Sequence, residues 1–261
     1  MLQIHSNPET MGAAAAARGA ALIKQAIAER GEANIIVATG ASQFTMLSAL
    51  AAAPGIDWGK VTLFHLDEYV GLPETHPASF RKYIKERFIA QLPSPLKNAW
   101  FVNGSAPDPQ AVCDELGKII AAHPIDVCFM GIGENGHIAF NDPPADFDTE
   151  APYIVVELDE VCRRQQLGEG WFPTLEDVPR QAISMSVRQI MKSKSLINTV
   201  PDARKAYAMQ ITFEGELCPA HPASVIRIHP DCATFCDVPA ATKLSKLTVD
   251  LCTKLSVSIS R

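Results

Sequence analysis

The stretch Ile125-Asp-Val-Cys-Phe-Met-Gly-Ile-Gly-Glu-Asn-Gly-His-Ile-Ala-Phe-Asn-Asp-Pro-Pro144 joins an apolar run to a glycine-rich loop. Residues 125–130 have the length and the apolar character of a buried strand. A G-x-G-x-x-G pattern follows at once over residues 131–136, where a dinucleotide-binding fingerprint would lie. That fingerprint needs a long helix after its last glycine, but two prolines interrupt the chain first. We therefore predict a ligand loop of a different kind.

Four more apolar runs have the same character, at residues 34–38, 61–66, 195–200 and 224–228. Helices are predicted between them, at residues 44–53, 79–92, 109–122 and 202–213, from apolar residues spaced three and four apart. Asn7 and Pro8 predict a further helix start near the N-terminus. Residues 145–180 are expected to be loop-rich and irregular. The pattern predicts an α/β fold in a single domain over residues 1–261, with a largely parallel open sheet, helices on both faces and a modified Rossmann-like topology.

Composition excludes several classes of function. The 261 residues are 47% hydrophobic and 20% charged, with a net charge of -6 and no basic tract, which argues against nucleic-acid binding. No apolar stretch approaches the length that spans a bilayer, so no membrane partner is expected. Seven scattered cysteines without C-x-x-C spacing suggest reduced thiols in a cytoplasmic protein, and no zinc site is expected.

Ligands of open parallel sheets bind beyond the carboxyl ends of the strands, so the residues after each apolar run are candidates. Thr39-Gly40-Ala41-Ser42 combines a glycine, two hydroxyls and free backbone N–H groups, as an anion site would. A simple helix cap at Thr39 or Ser42 is an equally weighted alternative. Lys205, early in a predicted helix, opposes the helix dipole and would be explained by a bound anion, although a solvated lysine is the usual case.

Two further groups could transfer protons. Asp67 and Glu68 follow the run at residues 61–66, and at least one of them should lie at the top of the sheet. A cap or a solvated turn is the alternative for such a pair. His137 can pass protons near neutral pH, and Asp142 is close enough in sequence to orient its ring. A structural loop histidine is the alternative there.

In these residues the chain resembles the glucosamine-6-phosphate deaminase family, which is related to the 6-phosphogluconolactonases, over essentially its whole length. Thr39 to Ser42 is similar to the family's phosphate loop, Leu66-Asp-Glu-Tyr-Val-Gly-Leu-Pro73 to its aspartate motif and residues 131–142 to its histidine motif. Lys205 stands where the family has a phosphate-binding lysine. The resemblance implies ring opening, isomerisation and deamination of an amino-hexose 6-phosphate, giving fructose 6-phosphate and ammonia without a metal or an organic cofactor.

The resemblance and the chemistry together suggest individual roles. Asp67 would move a proton between C2 and C1, and His137, held by Asp142 and Asn135, would open the ring. The family has a glutamate at the position of Asp142 and often an acidic residue at that of Asn135. A further phosphate-binding arginine of the family falls near residues 163–166, where Arg163, Arg164 and Gln166 compete, and Arg164 is our candidate. The expected partner is a small-molecule sugar phosphate, and a homo-oligomer is allowed.

Two rival functions remain open. A 6-phosphogluconolactonase would use the histidine to activate water. That family has Asp-Glu-Arg and Gly-His-Thr-Ala-Ser-Leu-Phe, whereas this chain has Asp67-Glu-Tyr69 and Gly136-His-Ile-Ala-Phe-Asn141. A non-catalytic sugar-phosphate sensor is the second rival, since a fold alone does not establish turnover.

Overall fold

A computed structural model describes residues 1–251 of the chain. Its strands are β1 (Leu2–His5), β2 (Ala33–Val37), β3 (Val61–His65), β4 (Asp67–Tyr69), β5 (Asn98–Trp100), β6 (Val127–Met130), β7 (Tyr153–Glu157), β8 (Gln181–Met185), β9 (Ser195–Val200) and β10 (Cys232–Asp237). Its helices are α1 (Pro8–Arg30), α2 (Phe44–Ala51), α3 (Phe80–Arg87), α4 (Pro109–Ala121), α5 (Glu160–Gly168), α6 (Val187–Met191) and α7 (Ala206–Glu214).

The main sheet has seven strands in the order β1-β10-β9-β6-β2-β3-β5, and every pair of neighbours is parallel. The chain leaves β2 towards β3 and β5 on one side, and later continues from β6 to β9 and β10 on the other. This reversal between β2 and β6 is a topological switch point, where open α/β sheets bind their ligands. A smaller antiparallel sheet, β4-β8-β7, lies beside it.

Both faces of the main sheet are covered, as the sequence predicts. Successive residues of β6 enter opposite cores: Val127 and Phe129 pack with α1 and α2, whereas Cys128 and Met130 pack with α4 and α7. This alternation explains why the strand is apolar throughout, because each side chain faces a layer of helices. The predicted α/β class and the largely parallel sheet are confirmed.

Most predicted elements are present, but the strand predicted at residues 224–228 is not. Residues 224–228 lie in a 3-10 helix, Pro222–Ile228, in which Ser224 N donates to His221 O at 2.8 Å. The strand of this region is β10, whose mixed composition hides it. The middle section, residues 145–180, is loop-rich as expected, but it also contains β7 and α5. Its strand forms only by antiparallel pairing with β8, which a local pattern does not reveal.

The first helix begins as expected, because Asn7 Oδ1 accepts a hydrogen bond from Thr10 N at 2.8 Å and Pro8 occupies the first turn. Two glycines let α1 approach its neighbours closely. A Cβ added to Gly12 would lie 2.5 Å from Thr45 Oγ1 of α2, and one added to Gly19 would lie 2.3 Å from the Phe129 ring of β6. No helix within residues 1–251 has the length and apolar character needed to cross a membrane.

Because α1 approaches β6 closely at Gly19, replacing Gly19 by alanine should change stability in the opposite direction from the same replacement at Gly117. Gly19→Ala should lower the free energy of unfolding by about 1–3 kcal/mol, because the new methyl group overlaps the buried Phe129 ring. Gly117→Ala in α4 is the matched control, since its Cβ would make an ordinary contact of 3.4 Å with Pro152. The control should gain about 0.5–1 kcal/mol from helix propensity. Urea unfolding measures both, and equal effects would contradict this account of the packing.

Candidate active site

A cavity of about 620 Å³ lies at the carboxyl ends of β2, β3, β6 and β9, at the switch point of the sheet. The loops that follow these four strands all line it. Its walls include the predicted site residues Thr39, Gly40, Ala41, Ser42, Asp67, His137 and Lys205. The structure therefore gathers residues separated by more than 160 positions into one compartment.

The loop after β2 presents backbone donors to this cavity. Gly40 has φ 98°, a conformation that favours glycine, and its carbonyl accepts a hydrogen bond of 2.9 Å from the Tyr83 hydroxyl. We find no partner within residues 1–251 for the backbone N–H groups of Gly40, Ala41 and Ser42. Neither the short 3-10 helix Ala41–Gln43 nor α2 has a side-chain cap, so the helix-cap alternative for Thr39 and Ser42 is wrong.

A buried amide holds this loop against the sheet. Gln43 is fully buried, and its Oε1 accepts a 3.0 Å hydrogen bond from Thr199 Oγ1 at the end of β9. Its Nε2 donates to Ser42 Oγ at 3.0 Å and, at 3.4 Å, to the carbonyls of Met130 and Thr199. The space is tight, since a Cβ on Gly131 would lie 2.9 Å from Nε2. One side chain thus fixes the loop to the ends of β6 and β9.

The acidic pair of β4 divides into two different environments. Glu68 is fully buried and accepts hydrogen bonds from Ser79 Oγ (2.8 Å), from the N–H groups of Phe80 (3.1 Å) and Arg81 (3.0 Å) and from Arg81 Nε (3.2 Å). It therefore satisfies the start of α3, in line with the structural alternative for the pair. Asp67 is also buried, but its carboxylate has no hydrogen-bond or ion-pair partner within residues 1–251, and it faces the cavity.

Burial raises the pKa of Asp67 from 3.8 to about 8, and the negative charge of Glu68 adds to the effect. Both causes act against the ionised form, which loses its hydration without gaining a counter-ion. A carboxyl group with a pKa near neutrality can both take up and return a proton under ordinary conditions. Asp67 has the properties of a group that shuttles protons.

The glycines of the loop after β6 shape the loop around the imidazole of His137. The loop closes on itself, because Gly133 N donates to His137 O at 2.9 Å and Gly136 N donates to Gly133 O at 3.0 Å. Gly136 has φ 87°. A Cβ on Gly133 would lie 2.2 Å from His137 Nε2, so only glycine leaves room for the imidazole. No long helix follows, as the two prolines predict.

His137 and Asp142 form a buried pair beside the cavity. His137 Nδ1 lies 3.0 Å from Asp142 Oδ1, and the two side chains are 9% and 7% exposed. Burial alone would raise the pKa of Asp142, but His137, the backbone N–H of Asp159 and Asn135 outweigh it and lower the pKa. The ionised carboxylate therefore fixes the imidazole and leaves Nε2 for a ligand in the cavity.

Asn135 supports this pair through the loop, not through the imidazole ring that the sequence interpretation favoured. Its Oδ1 accepts a 3.0 Å hydrogen bond from the backbone N–H of His137, and its Nδ2 donates to Asp142 Oδ1 at 3.4 Å. An amide suits this position, because a carboxylate would lose the donor to Asp142 and repel it. Asn135 is therefore placed to orient both members of the pair.

The only three-residue group of metal-ligating side chains within residues 1–251 is His137, Asp142 and Cys162, whose ligand atoms lie within 4.8 Å of one another. Structural zinc sites have four protein ligands, and catalytic zinc sites have three. Burial raises the pKa of the Cys162 thiol well above its usual range, so a metal would have to displace a tightly held proton.

The expected positions of the cations are only partly correct. Lys205 lies in the 3-10 helix Ala203–Lys205 before α7, is 7% exposed and lines the cavity. Burial lowers its pKa. Arg164 does not line the cavity: its side chain is 62% exposed on the outer face of α5 and pairs with Glu160 at 2.5 Å. The helical period directs Gln165 and Gln166 inwards instead, so the choice of Arg164 is wrong.

Several cavity residues were not expected from the sequence. They are Gln165, Glu169, Arg204 and Asp237, whereas Gln166 is one of the three residues that the resemblance offers for the family's arginine. Gln166 accepts a 2.7 Å hydrogen bond from the Tyr69 hydroxyl, and Gln165 accepts one of 2.9 Å from Glu134 N. The signal that could have found Asp237 is its place after a strand, which was missed together with β10. The inward face of α5 could not be recognised while residues 145–180 were taken as a loop.

Comparisons with known proteins agree with this geometry. Residues 6–234 match the family model described as glucosamine-6-phosphate isomerases/6-phosphogluconolactonase. A glucosamine-6-phosphate deaminase of Shouchella clausii (strain KSM-K16) is 36% identical over 229 residues, which cover 86% of this chain and 91% of the relative. The deaminase of Bacillus cytotoxicus is 34% identical over 232 residues, covering 89% of this chain and 86% of the relative.

Solved structures extend the comparison to the fold. A monomeric glucosamine-6-phosphate deaminase superposes with a TM-score of 0.85 at 28% identity, covering 93% of this chain and 99% of its own. A 6-phosphogluconolactonase from Shewanella baltica OS155 reaches a TM-score of 0.75 at 17% identity, covering 91% and 97%, and shows the shared fold alone. By the family match and the identity to these deaminases, the chain belongs to the glucosamine-6-phosphate isomerase/6-phosphogluconolactonase family.

Proposed function

We propose that this protein is an enzyme that isomerises and deaminates an amino-hexose 6-phosphate, converting glucosamine 6-phosphate to fructose 6-phosphate and ammonia. The observation that carries the proposal is the unpaired Asp67 carboxyl group, with its raised pKa, in the same cavity as His137, which is paired with Asp142. The backbone donors of residues 39–42 and the buried Lys205 in that cavity suit a phosphate group. The relatives named as deaminases supply the substrate.

Asp67 is assigned to the isomerisation. This step moves a proton from C2 to C1 of the open-chain amino sugar, so one group must reach both carbons and alternate between base and acid. A carboxylate meets this need if water does not exchange its proton first, and Asp67 is 7% exposed. The resulting C2 imine then adds water and releases ammonia, which leaves the ketose phosphate.

His137 is assigned to the opening of the ring. That step takes a proton from the anomeric hydroxyl and delivers one to the ring oxygen, and the free Nε2 of an oriented imidazole can perform both transfers in turn. Asp142 lies against Nδ1 of the ring, while Asn135 accepts from the backbone N–H of His137 and donates to the Asp142 carboxylate. The two proton-transfer groups therefore act on successive steps.

A lactonase reaction is the competing assignment, since the family model includes both activities. Lactone hydrolysis needs one base to activate water and no transfer between carbon atoms, so it gives no role to a second proton-shuttling carboxyl group. The deciding experiment compares glucosamine 6-phosphate, galactosamine 6-phosphate and 6-phosphogluconolactone in parallel. Ammonia release from an amino sugar with no lactone hydrolysis supports the proposal. Hydrolysis of the lactone alone would favour the lactonase assignment, and binding without turnover would favour a non-catalytic sugar-phosphate sensor.

Asp67→Asn should abolish deamination while leaving sugar-phosphate binding nearly intact, because the carboxylate acts on the transition state. We expect kcat to fall by about 10²–10⁴ and exchange of the C2 proton with solvent deuterium to vanish with it. Asp114→Asn, at an exposed position on α4, is the control and should retain the parent's kcat and its exchange of the C2 proton with solvent. Turnover of the Asp67 variant near the parent rate would remove Asp67 from this role.

The raised pKa of Asp67 also predicts how stability depends on pH. Between about pH 4 and about pH 8, unfolding releases the proton that native Asp67 retains, so stability of the ligand-free protein falls as pH rises. Asp67→Asn removes this contribution. The free energy of unfolding of the variant, relative to that of the parent protein, should therefore rise by up to about 1.4 kcal/mol per pH unit in that window. Urea unfolding at several pH values measures the difference, and a constant offset would contradict the shift.

His137→Gln should separate the two steps. Reaction of the closed-ring sugar should slow by about 10²–10⁴, whereas proton exchange in an open-chain analogue should change far less, because Asp67 performs that step. Progress curves for ammonia and NMR of the exchanging proton give the two rates. Equal losses in both assays would mean that His137 and Asp67 act in the same step.

A further inference from the structure

The cavity contains a buried cation without a partner. Among residues 1–251, only Arg204 and Lys205 supply positively charged Lys or Arg side chains to its lining. Lys205 is 7% exposed, and its Nζ makes no hydrogen bond or ion pair with any described residue. Removing an ammonium group from water without pairing it is costly, and burial lowers its pKa. An anionic ligand would supply the missing partner.

Lys205 alone is a poor match for a phosphate dianion. Three carboxylates, those of Glu134, Glu169 and Asp202, act on it electrostatically. Glu169 is held in place, because its carboxylate accepts hydrogen bonds from Gln165 Nε2 at 3.1 Å and from Trp171 Nε1 at 3.3 Å. A dianion entering this region would meet three negative charges against the single positive charge of Lys205, and engagement of the second cation, Arg204, would reduce this excess.

Arg204 is available for this purpose. Its Nε and Nη2 donate to Asp202 Oδ2 at 3.2 and 3.0 Å, and its Nη1 lies 3.7 Å from Glu134 Oε1. Its side chain is 50% exposed, as in ion pairs that contribute little to stability. A guanidinium group binds a phosphate through two parallel N–H groups, which is a stronger arrangement than either of these contacts.

The backbone before Arg204 is built to direct this pair of cations. Asp202 has φ 87°, which a residue with a side chain rarely adopts. Its N–H donates to both carboxylate oxygens of Asp237, each at 3.1 Å, and Asp237 lies at the end of β10. Strained backbone that is held by buried contacts is concentrated at functional sites. The strain gives the turn before Arg204 and Lys205 a fixed shape at the cavity wall.

We propose that Arg204 binds the phosphate of the substrate together with Lys205, exchanging its contacts with Asp202 and Glu134 for the phosphoryl oxygens. The inference rests on the proposed function only for the identity of the sugar. It gives the site two cations of different kinds: a buried lysine that stays in place and a half-exposed arginine that is recruited by the dianion.

The first test uses Arg204→Gln, which keeps a polar side chain without the charge. KM for the amino-sugar phosphate should rise roughly 10- to 150-fold, since a charge-assisted contact contributes about 1.5–3 kcal/mol and 1.4 kcal/mol is tenfold. Because the contact is made throughout the reaction, kcat should change by less than about threefold. Arg164→Gln is the matched control, an arginine with a carboxylate partner outside the cavity, and should leave both constants unchanged.

The second test measures binding of inorganic phosphate by calorimetry and does not depend on turnover. Glu134→Gln should tighten phosphate binding, because Glu134 competes for Arg204. In the Arg204→Gln background the same change should give less than half of that gain in binding free energy. Such coupling is not expected if Arg204 only stabilises its turn.

The outcomes separate this inference from the proposed function. Ammonia release by the parent enzyme with an unchanged KM in Arg204→Gln would overturn the role of Arg204 and leave the deaminase assignment standing. Phosphate binding that depends on Arg204 and is coupled to Glu134, in a protein that releases no ammonia, would support the phosphate site and overturn the deaminase assignment. An unfolded Arg204→Gln variant would be replaced by Arg204→Lys, for which a smaller rise in KM is expected.

Discussion

Two adjacent carboxylates that are both buried have opposite environments, and the candidate site depends on that difference. Glu68 is satisfied by the first N–H groups of α3, by Ser79 and by Arg81, which also donates to Asn103, Ser105 and the Leu72 carbonyl. Asp67 receives none of these donors. The same short strand therefore carries one carboxylate, Glu68, whose negative charge is stabilised by hydrogen bonds and an ion pair, and one, Asp67, whose ionised form is disfavoured by burial. Glu68 stabilises the local fold, and Asp67 is left available for chemistry.

The topology of the sheet determines where this chemistry meets the anion site. Because β2 and β6 are neighbours although about 90 residues separate them, the loops that follow them face each other across the switch point. Gln43 connects these loops, since its amide reaches both Ser42 and the ends of β6 and β9. A buried amide with four contacts is costly to displace, so the geometry of the loop is fixed before any ligand binds. Preorganisation of this kind lowers the cost of binding a charged group.

The electrostatic character of the cavity is mixed, and this fits a substrate with opposite charges at its two ends. Lys205 and Arg204 lie with the backbone donors of residues 40–42 in one cavity, and Asp67 and His137 also line it. An amino-sugar phosphate carries a phosphate dianion at one end and an amine near the carbon atoms that exchange protons. Matching both ends of one molecule would explain why a carboxyl group with a raised pKa and an ammonium group with a lowered pKa occur in a single pocket.

The sequence by itself determined the α/β class, four of the central strands, the helix that starts at Pro8 and the candidates Asp67, His137, Asp142 and Lys205. These features are local: apolar runs, helical periods and polar residues directly after a strand are visible without knowing what they contact. Tertiary structure alone decided the rest. The small sheet forms by pairing β8 with residues 67–69 on one side and with residues 153–157 on the other, and only these pairings make β4 and β7 strands. Arg164 and Arg204 cannot be told apart by composition, because both are arginines beside an acidic partner. The first lies on the outer face of α5 and the second at the cavity wall, since helix phase and the turn fixed by Asp237 set the direction of each side chain.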